Sequence, residues 1–299
     1  MVEVDTQEKF DALTEADAIV LRILKMPKEV VARIKGLKMI MRWGAGFDSV
    51  DIEEAGKHGI YVCNTPGANA YAVAELTVAL MLAVGRKLIC HDRAIHQGEW
   101  SKNTFLNLTR TLNNKVVGII GGGNIGRQVA ARVQAFGSIV QYYDPFRLPE
   151  EMEEKLHMKY VGLEELIRTS DVITLHVPLM DSTRHMIGEK EIEKMKNGAI
   201  LINVARGGLM DDEAVVKAVN SGKLSGAGID CVEEEPAKPG NPILENPNII
   251  VTPHVGGGSA DISDVMFPMI TGNIELLAIG KELKYVVNKQ YLEGNNKKL

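Results

Sequence analysis

Arg206, Glu235 and His254 each follow an apolar run that reads as a strand, in the phrases VARGG, DCVEEEP and VTPHVGGG. Those residue types supply the polar half of a carbonyl reduction. A guanidinium holds a carboxylate and stabilises a developing oxyanion, and an imidazole of suitable pKa exchanges a proton with the substrate oxygen. A carboxylate beside the imidazole favours its protonated form, which keeps a proton donor available near neutral pH. Taken singly, each has a plain alternative. Arg206 beside two glycines reads as a surface-loop charge, Glu235 as one of three solvated acids, and His254 as a satisfied loop histidine. Together they can converge, because the carboxyl ends of parallel strands face the ligand crevice of an open sheet.

Such a trio needs a source or sink of hydride, and a second motif offers one. GGGNIG follows the apolar run 116–120 and sets Gly121, Gly123 and Gly126 in the G-x-G-x-x-G spacing, with Asn124 and Ile125 inside it. A helix opens immediately behind, with Ile125, Val129, Val133 and Phe136 on one stripe and Gly137 at its end. Unpaired N–H groups and the helix dipole at such a start stabilise a pyrophosphate, and glycine lets it approach the backbone. Asp144 ends the next apolar run, where a carboxylate can accept from both ribose hydroxyls and repel a 2′-phosphate, so NAD is expected over NADP. Arg147 stands close enough to work against that preference. The plain alternative is a glycine turn and an aspartate that starts a turn before Pro145.

The elements that must position these residues alternate. VVGII (116–120), IVQYY (139–143), DVITLHV (171–177), AILINVA (199–205), GAGID (226–230) and NIIVTPH (248–254) are nearly continuous apolar strands, with helices predicted at about 124–136, 163–169, 189–196 and 211–220. Strands buried on both faces read this way, which predicts an α/β fold with a doubly wound parallel sheet of the Rossmann type. A smaller α/β unit precedes it, with strands predicted at 18–24, 37–43 and 60–64. A helix over 70–86 is expected to bridge the two, and a long one over about 259–280 returns the chain to the first. The expected domains are therefore 1–66 with 259–299, for substrate, and 67–258, for the dinucleotide.

Composition sets limits. At 299 residues, with 45% hydrophobic and 24% charged residues, the chain has ordinary globular values and room for two cores. A net charge of −5 without a Lys/Arg-rich stretch argues against a nucleic-acid partner. Cys63, Cys90 and Cys231 show no metal-type spacing and read as reduced, buried thiols, with no metal expected. No stretch is apolar enough to span a bilayer and MVEVDTQEKF does not read as a leader, so the expected location is cytoplasmic.

The run ILINVARGGLMDDEAVVKAVNSGKLSGAGIDCVEEEP followed by NIIVTPHVGGG resembles the D-isomer-specific 2-hydroxyacid dehydrogenase family, most of all its phosphoglycerate dehydrogenase branch. The likeness extends from near Ala16 over almost all of the remaining chain and includes MRWGAGFDSVD, NTPGANAYAVAE, YYDPF and HVPLMDSTRHMI. It implies hydride transfer between NAD and C2 of a small D-2-hydroxy acid or 2-keto acid, of the phosphoglycerate, hydroxypyruvate or glyoxylate type. It also implies that the Rossmann domain is inserted in a flavodoxin-like substrate domain. Arg206 would hold the substrate carboxylate and polarise the C2 oxygen, His254 would exchange its proton, and Glu235 would pair with His254. Asp230 would bond the nicotinamide carboxamide. His176, Pro178, Ala205 and Gly256 match positions lining the cofactor, and Gly44, Ala45 and Gly46 would offer N–H groups to the substrate carboxylate. Relatives project the segment 86–112 as a dimer arm, for which Leu106, Leu108 and Leu112 supply apolar surface, so a homodimer is expected.

Departures from the family pattern qualify the substrate. Relatives begin with a strand and a helix ahead of ADAIVLR, where this chain has about fifteen residues, so the first domain is read as trimmed at that end. Ile23 and Leu24 replace small polar residues that follow the position of Arg22 in phosphoglycerate dehydrogenases. Trp43 replaces a small residue beside the carboxylate loop, either reshaping the pocket or packing in the domain core, and Tyr71 replaces a serine. Three rival readings remain open from sequence: a phosphite dehydrogenase, a formate dehydrogenase, disfavoured by Glu235 where that branch carries glutamine, and an NAD-sensing corepressor without turnover.

Overall fold

The computed structural model describes residues 4–100 and 102–292. Its contacts divide the chain into two compact units, residues 1–69 with 259–299 and residues 70–258.

The larger unit is built on a seven-stranded sheet of β4 (Val116–Ile120), β5 (Ile139–Tyr143), β6 (Lys159–Tyr160), β7 (Val172–Leu175), β8 (Ala199–Asn203), β9 (Leu224–Ile229) and β10 (Ile249–Val251). For this labelling β1 to β3 are Ala18–Leu21, Met39–Arg42 and Tyr61–Cys63 of the smaller unit. The order is β10-β9-β8-β7-β4-β5-β6, and every pairing is parallel. Chain order therefore reverses between β4 and β7, the switch point where such sheets open a ligand crevice at their carboxyl ends.

Side chains alternate across this sheet. Val117 and Ile119 join the core beneath the helices Ala70–Gly85 and Asn124–Ala135, which also bury Val73, Leu80, Val84, Val129 and Val133. Ile120, Ile173 and Leu175 join the opposite core, against the helices Leu163–Thr169, Glu189–Lys194 and Asp212–Asn220. With both faces covered, period-two polarity has no reason to appear, and each fully buried Val or Ile contributes roughly 1.5–3 kcal/mol. Gly118 lets the helix Leu163–Thr169 pack close to β4, since a Cβ there would lie 2.7 Å from Leu166 Cδ2. The helix Asp212–Asn220 starts at Asp211, whose side chain accepts from the Ala214 N–H, and ends before Gly222 at φ +76.

Several expectations are corrected here. Phe136, placed on the buried stripe of its helix, is 46% exposed at the C-cap, and Leu112, assigned to an exposed arm, is buried in the core. Cys90 is half-buried rather than buried. The helix Glu150–Leu156 and strand β6 were not anticipated.

In the smaller unit β1, β2 and β3 form a parallel sheet in that order, preceded by the helix Gln7–Asp11. The helix Ser263–Ala278 belongs to the same unit. Buried Asn288 ties the later segment to the sheet: it accepts from the Val62 N–H at 2.9 Å and donates to the Ile60 carbonyl at 2.9 Å.

Candidate active site

The glycine turn connects β4 to the helix Asn124–Ala135, and its three glycines are required for different reasons. Gly121 has φ +108, and a Cβ there would stand 2.5 Å from the His176 carbonyl oxygen. A Cβ on Gly126 would collide with the Gly121 carbonyl and lie 3.1 Å from Ile119 Cγ2, so this glycine seats the helix on the strand. Gly123, the N-cap, faces open space and provides no side-chain cap. The first-turn N–H groups thus point at an uncrowded surface, with Asn124 exposed and Ile125 half-buried behind it. This arrangement fits a pyrophosphate.

Asp144, at the end of β5, accepts from the Gly122 N–H at 2.8 Å and from the Phe146 N–H at 2.9 Å. The two bonds fix the carboxylate beside the turn, and each oxygen keeps a further lone pair for a ribose hydroxyl. Arg147 is turned to another partner. Its Nε and Nη2 donate to Glu153 Oε1 and Oε2, both at 2.8 Å, while its guanidinium lies 5.1 Å over the Tyr160 ring. Tyr142 also donates to Glu153, at 2.6 Å. Arg147 first and Tyr142 second hold the Glu153 carboxyl down at about 2.

The polar trio gathers at the ends of β8, β9 and β10. Buried Asn203 fixes the first turn after β8, donating to the Arg206 carbonyl at 2.8 Å and accepting from the Ala205 N–H at 3.1 Å. Arg206 Nη1 donates to the Ala205 carbonyl at 2.7 Å. Asp230 is the anchor of the last loop. It accepts from Thr252 Oγ1 at 2.6 Å and from the N–H groups of Val255 and Gly256 at 2.9 and 2.8 Å. That loop carries His254 at φ +53, a left-handed conformation uncommon outside glycine and one that the Asp230 bonds enforce. His254 Nδ1 then lies 2.8 Å from Glu235 Oε2. The bond to Glu235, together with the negative charges of Glu235 and Asp230, raises the His254 pKa against desolvation and the opposing charge of Arg206. His254 and Glu235 side chains are 46% and 37% exposed, so both can reach a ligand.

His176 and Pro178 follow β7. The His176 ring bonds Thr174 Oγ1 through Nε2 at 2.9 Å, its Nδ1 is buried, and burial holds its pKa down at about 3, which makes it neutral. Pro178 is exposed, and its carbonyl accepts from Thr183 Oγ1. In the smaller unit the Gly44 N–H is committed to Thr65 Oγ1 at 2.9 Å, which leaves Ala45 and Gly46 as the donors of that loop. Trp43 stacks edge-on against Phe267, with ring centroids 5.3 Å apart. Sequence reasoning missed Asn203, Thr252 and Glu153. The first carried a signal, a lone amide in an otherwise apolar strand, whereas Thr252 acts through a partner 22 residues away and Glu153 lies on a helix that the sequence did not reveal.

Similarity to known proteins identifies the family. Residues 78–256 match the family described as D-isomer specific 2-hydroxyacid dehydrogenase, NAD binding domain. The chain is 40% identical to the glyoxylate reductase of Thermococcus litoralis, over 95% of this chain and 87% of that one. It is 38% identical to the D-3-phosphoglycerate dehydrogenase of Archaeoglobus fulgidus, over 99% of this chain but only 56% of that longer protein. The crystal structure of a glyoxylate reductase from Paecilomyes thermophila superposes with a TM-score of 0.84 at 36% identity, covering 92% of this chain and 84% of that one. A glycine turn that fits a pyrophosphate, a fixed acid beside it and a His–Glu pair on the same sheet edge are thus found within a match covering most of the sequence, and the chain belongs to the D-isomer specific 2-hydroxyacid dehydrogenase family.

Proposed function

We propose that Arg206, Glu235 and His254 are the catalytic residues of this NAD-linked oxidoreductase of small 2-hydroxy and 2-keto acids. The 2.8 Å bond between His254 Nδ1 and Glu235 carries the reading. It holds the ring in one orientation and favours the imidazolium, so Nε2 bears a proton to give to the C2 oxygen during reduction. In oxidation the same nitrogen, once neutral, takes the hydroxyl proton. Arg206 holds the substrate carboxylate and stabilises negative charge on the C2 oxygen, where a guanidinium can bond two oxygens in one plane. Within the smaller unit, Ala45 and Gly46 are the candidate N–H donors to substrate. Bound NAD(H) accepts or supplies the hydride.

For the cofactor, Gly121, Gly123 and Gly126 with the first-turn N–H groups hold the pyrophosphate, and Asp144 takes the ribose hydroxyls. Asp230 bonds the nicotinamide carboxamide, and Ala205, Gly256, His176 and Pro178 line the cofactor. Selectivity for NAD rests on two features, the fixed Asp144 carboxylate and the withdrawal of Arg147 by Glu153. An arginine bonded in two places to a neighbouring acid is a poor receptor for a 2′-phosphate.

Among substrates we favour an unphosphorylated 2-keto acid, glyoxylate or hydroxypyruvate. Arg42, the last residue of β2, donates to the carbonyls of Leu21, Arg22 and Gly46. Ile23, next to Arg22, is 80% exposed, an apolar surface unsuited to phosphate. We also assign a homodimer to the face formed by Leu88, Ile95, Trp100, Leu106 and Leu108, each 47–79% exposed. The cytoplasm, where NAD(H) is available, is the proposed location. Among the described residues no helix is long and apolar enough to cross a membrane.

The test is a panel of glyoxylate, hydroxypyruvate and 3-phosphohydroxypyruvate with NADH and with NADPH, followed by loss of nicotinamide absorbance. Turnover of the first two with NADH, ahead of the phosphorylated acid, is expected. NADH binding without turnover of any would replace this reading with a cofactor-sensing one.

A further inference from the structure

Beside the Glu235–His254 pair sits a thiol that hydride transfer does not use. Cys231 is fully buried just past the end of β9, four residues before Glu235, and its Sγ lies 3.5 Å from the Ala205 carbonyl. Cys231 Sγ, a Glu235 carboxylate oxygen and a His254 ring nitrogen all lie within 4.8 Å of one another. We propose that these three side chains form a binding site for a thiophilic divalent cation of the Zn2+ type, and that its occupation stops hydride transfer by drawing Glu235 and His254 out of their proton-transfer pair.

The donor set decides the class of ion. A thiolate, an imidazole and one carboxylate match the ligands of tetrahedral zinc with the fourth position left to water, whereas Mg2+ and Ca2+ prefer sets made of oxygen. Thiolate and carboxylate together balance a divalent charge, and the buried Asp230 adds a further negative charge next to Cys231. Ligand atoms of tetrahedral zinc stand about 3.5 Å apart, so the widest separation must close by about 1 Å while the 2.8 Å Glu235–His254 pair opens. Rotation of the Glu235 and His254 side chains allows this, since both are partly exposed and neither is held by a helix. Cys231 directly follows Asp230, whose carboxylate grips the Val255 and Gly256 N–H groups, so one anchor fixes the thiol and the histidine loop together. On binding, the thiol loses its proton to solvent and the sulfur–metal bond takes its place.

Cobalt(II) and zinc are the probes. Titration of the whole protein with Co2+ should produce the near-ultraviolet absorption of a thiolate-to-cobalt bond. That band should vanish in Cys231→Val and Cys231→Ser, which retain Cys63 and Cys90, and weaken in Glu235→Gln. Zn2+ should inhibit the wild-type enzyme, reversibly with EDTA. Both Cys231 variants should keep turnover and need at least about 100-fold more Zn2+ for half-inhibition, since losing a ligand costs more than the roughly 10–100-fold lost with an outer-shell partner. No cobalt band in the wild type, a band that survives in the Cys231 variants, or equal zinc sensitivity would overturn the proposal. The inhibition arm rests on the catalytic role given to Glu235 and His254. The cobalt band reports binding whether or not the enzyme turns over, so failure of one claim is distinguishable from failure of the other.

Discussion

Replacing Gly126 by alanine tests whether the glycine turn holds the dinucleotide by the start of its helix. The added Cβ meets the Gly121 carbonyl and lies 3.1 Å from Ile119 Cγ2 and 3.2 Å from the Gly121 carbonyl carbon. None of these atoms can escape by a simple rotamer change, so the helix must lift off β4, by about 1 Å when judged against ordinary carbon contacts of about 3.5–4.0 Å. Two first-turn N–H groups moved that far from a phosphate would each forfeit about 1.5–3 kcal/mol. NADH binding should weaken by roughly 10²–10⁴-fold. Overpacking should also destabilise the unit by about 1–3 kcal/mol, a fall of several degrees in Tm. Gly123→Ala is the matched control. Its Cβ meets nothing within 4 Å and its φ of −70 suits any residue, so Tm should hold. Its methyl group projects where the pyrophosphate approaches, so NADH affinity should fall all the same. Fluorescence titration of NADH with a thermal melt reads both variants. Wild-type NADH affinity in either one would refute the reasoning.

Glu235→Gln removes the chief support of the raised His254 pKa. Reduction needs the imidazolium and declines as pH rises through that pKa, so its declining limb should move to lower pH; the rising limb for oxidation should move the same way. An unmoved pH profile of kcat/KM would count against the pairing. Glu153→Ala should release Arg147 and tighten NADPH binding relative to NADH, most of all in combination with Asp144→Ala, as read by direct titration of both nucleotides; an unchanged ratio would mean the Glu153 contact is irrelevant to selectivity. Leu106→Glu with Leu108→Glu should shift the protein to a smaller species in sedimentation while leaving the fold intact, and an unaltered sedimentation coefficient would remove that face from the dimer.

How much of this was legible depended on whether a residue's partners are near in sequence. β4 and β5 were read with their observed bounds, because both faces of the sheet are covered and the strands are apolar throughout. The helix Glu150–Leu156 escaped because EEMEEKL offers only Met152 and Leu156 as apolar positions, and β6 because two residues carry no periodicity. Phe136 was misplaced by extending a helical stripe one step past the last turn, where the backbone is already the C-cap. Ends of strands marked Arg206, Glu235 and His254 as candidates. Their environment was not readable: the grip of Asp230 on the histidine loop depends on the register of β9 beside β10. The tie between Arg147 and Glu153 likewise needs the helix that sequence did not reveal, and Cys231 lacked any metal-type spacing because its partners are gathered by a loop.

The most direct measurement is turnover and NADH affinity of His254→Gln, side by side. Among the described residues the side chain bonds Glu235 and no residue of the glycine turn. Loss of general acid–base catalysis should therefore lower kcat with glyoxylate by about 10²–10⁴-fold while the Kd for NADH stays near that of the wild type. Turnover close to wild type, or a loss of NADH affinity as large as the loss of turnover, would contradict the account.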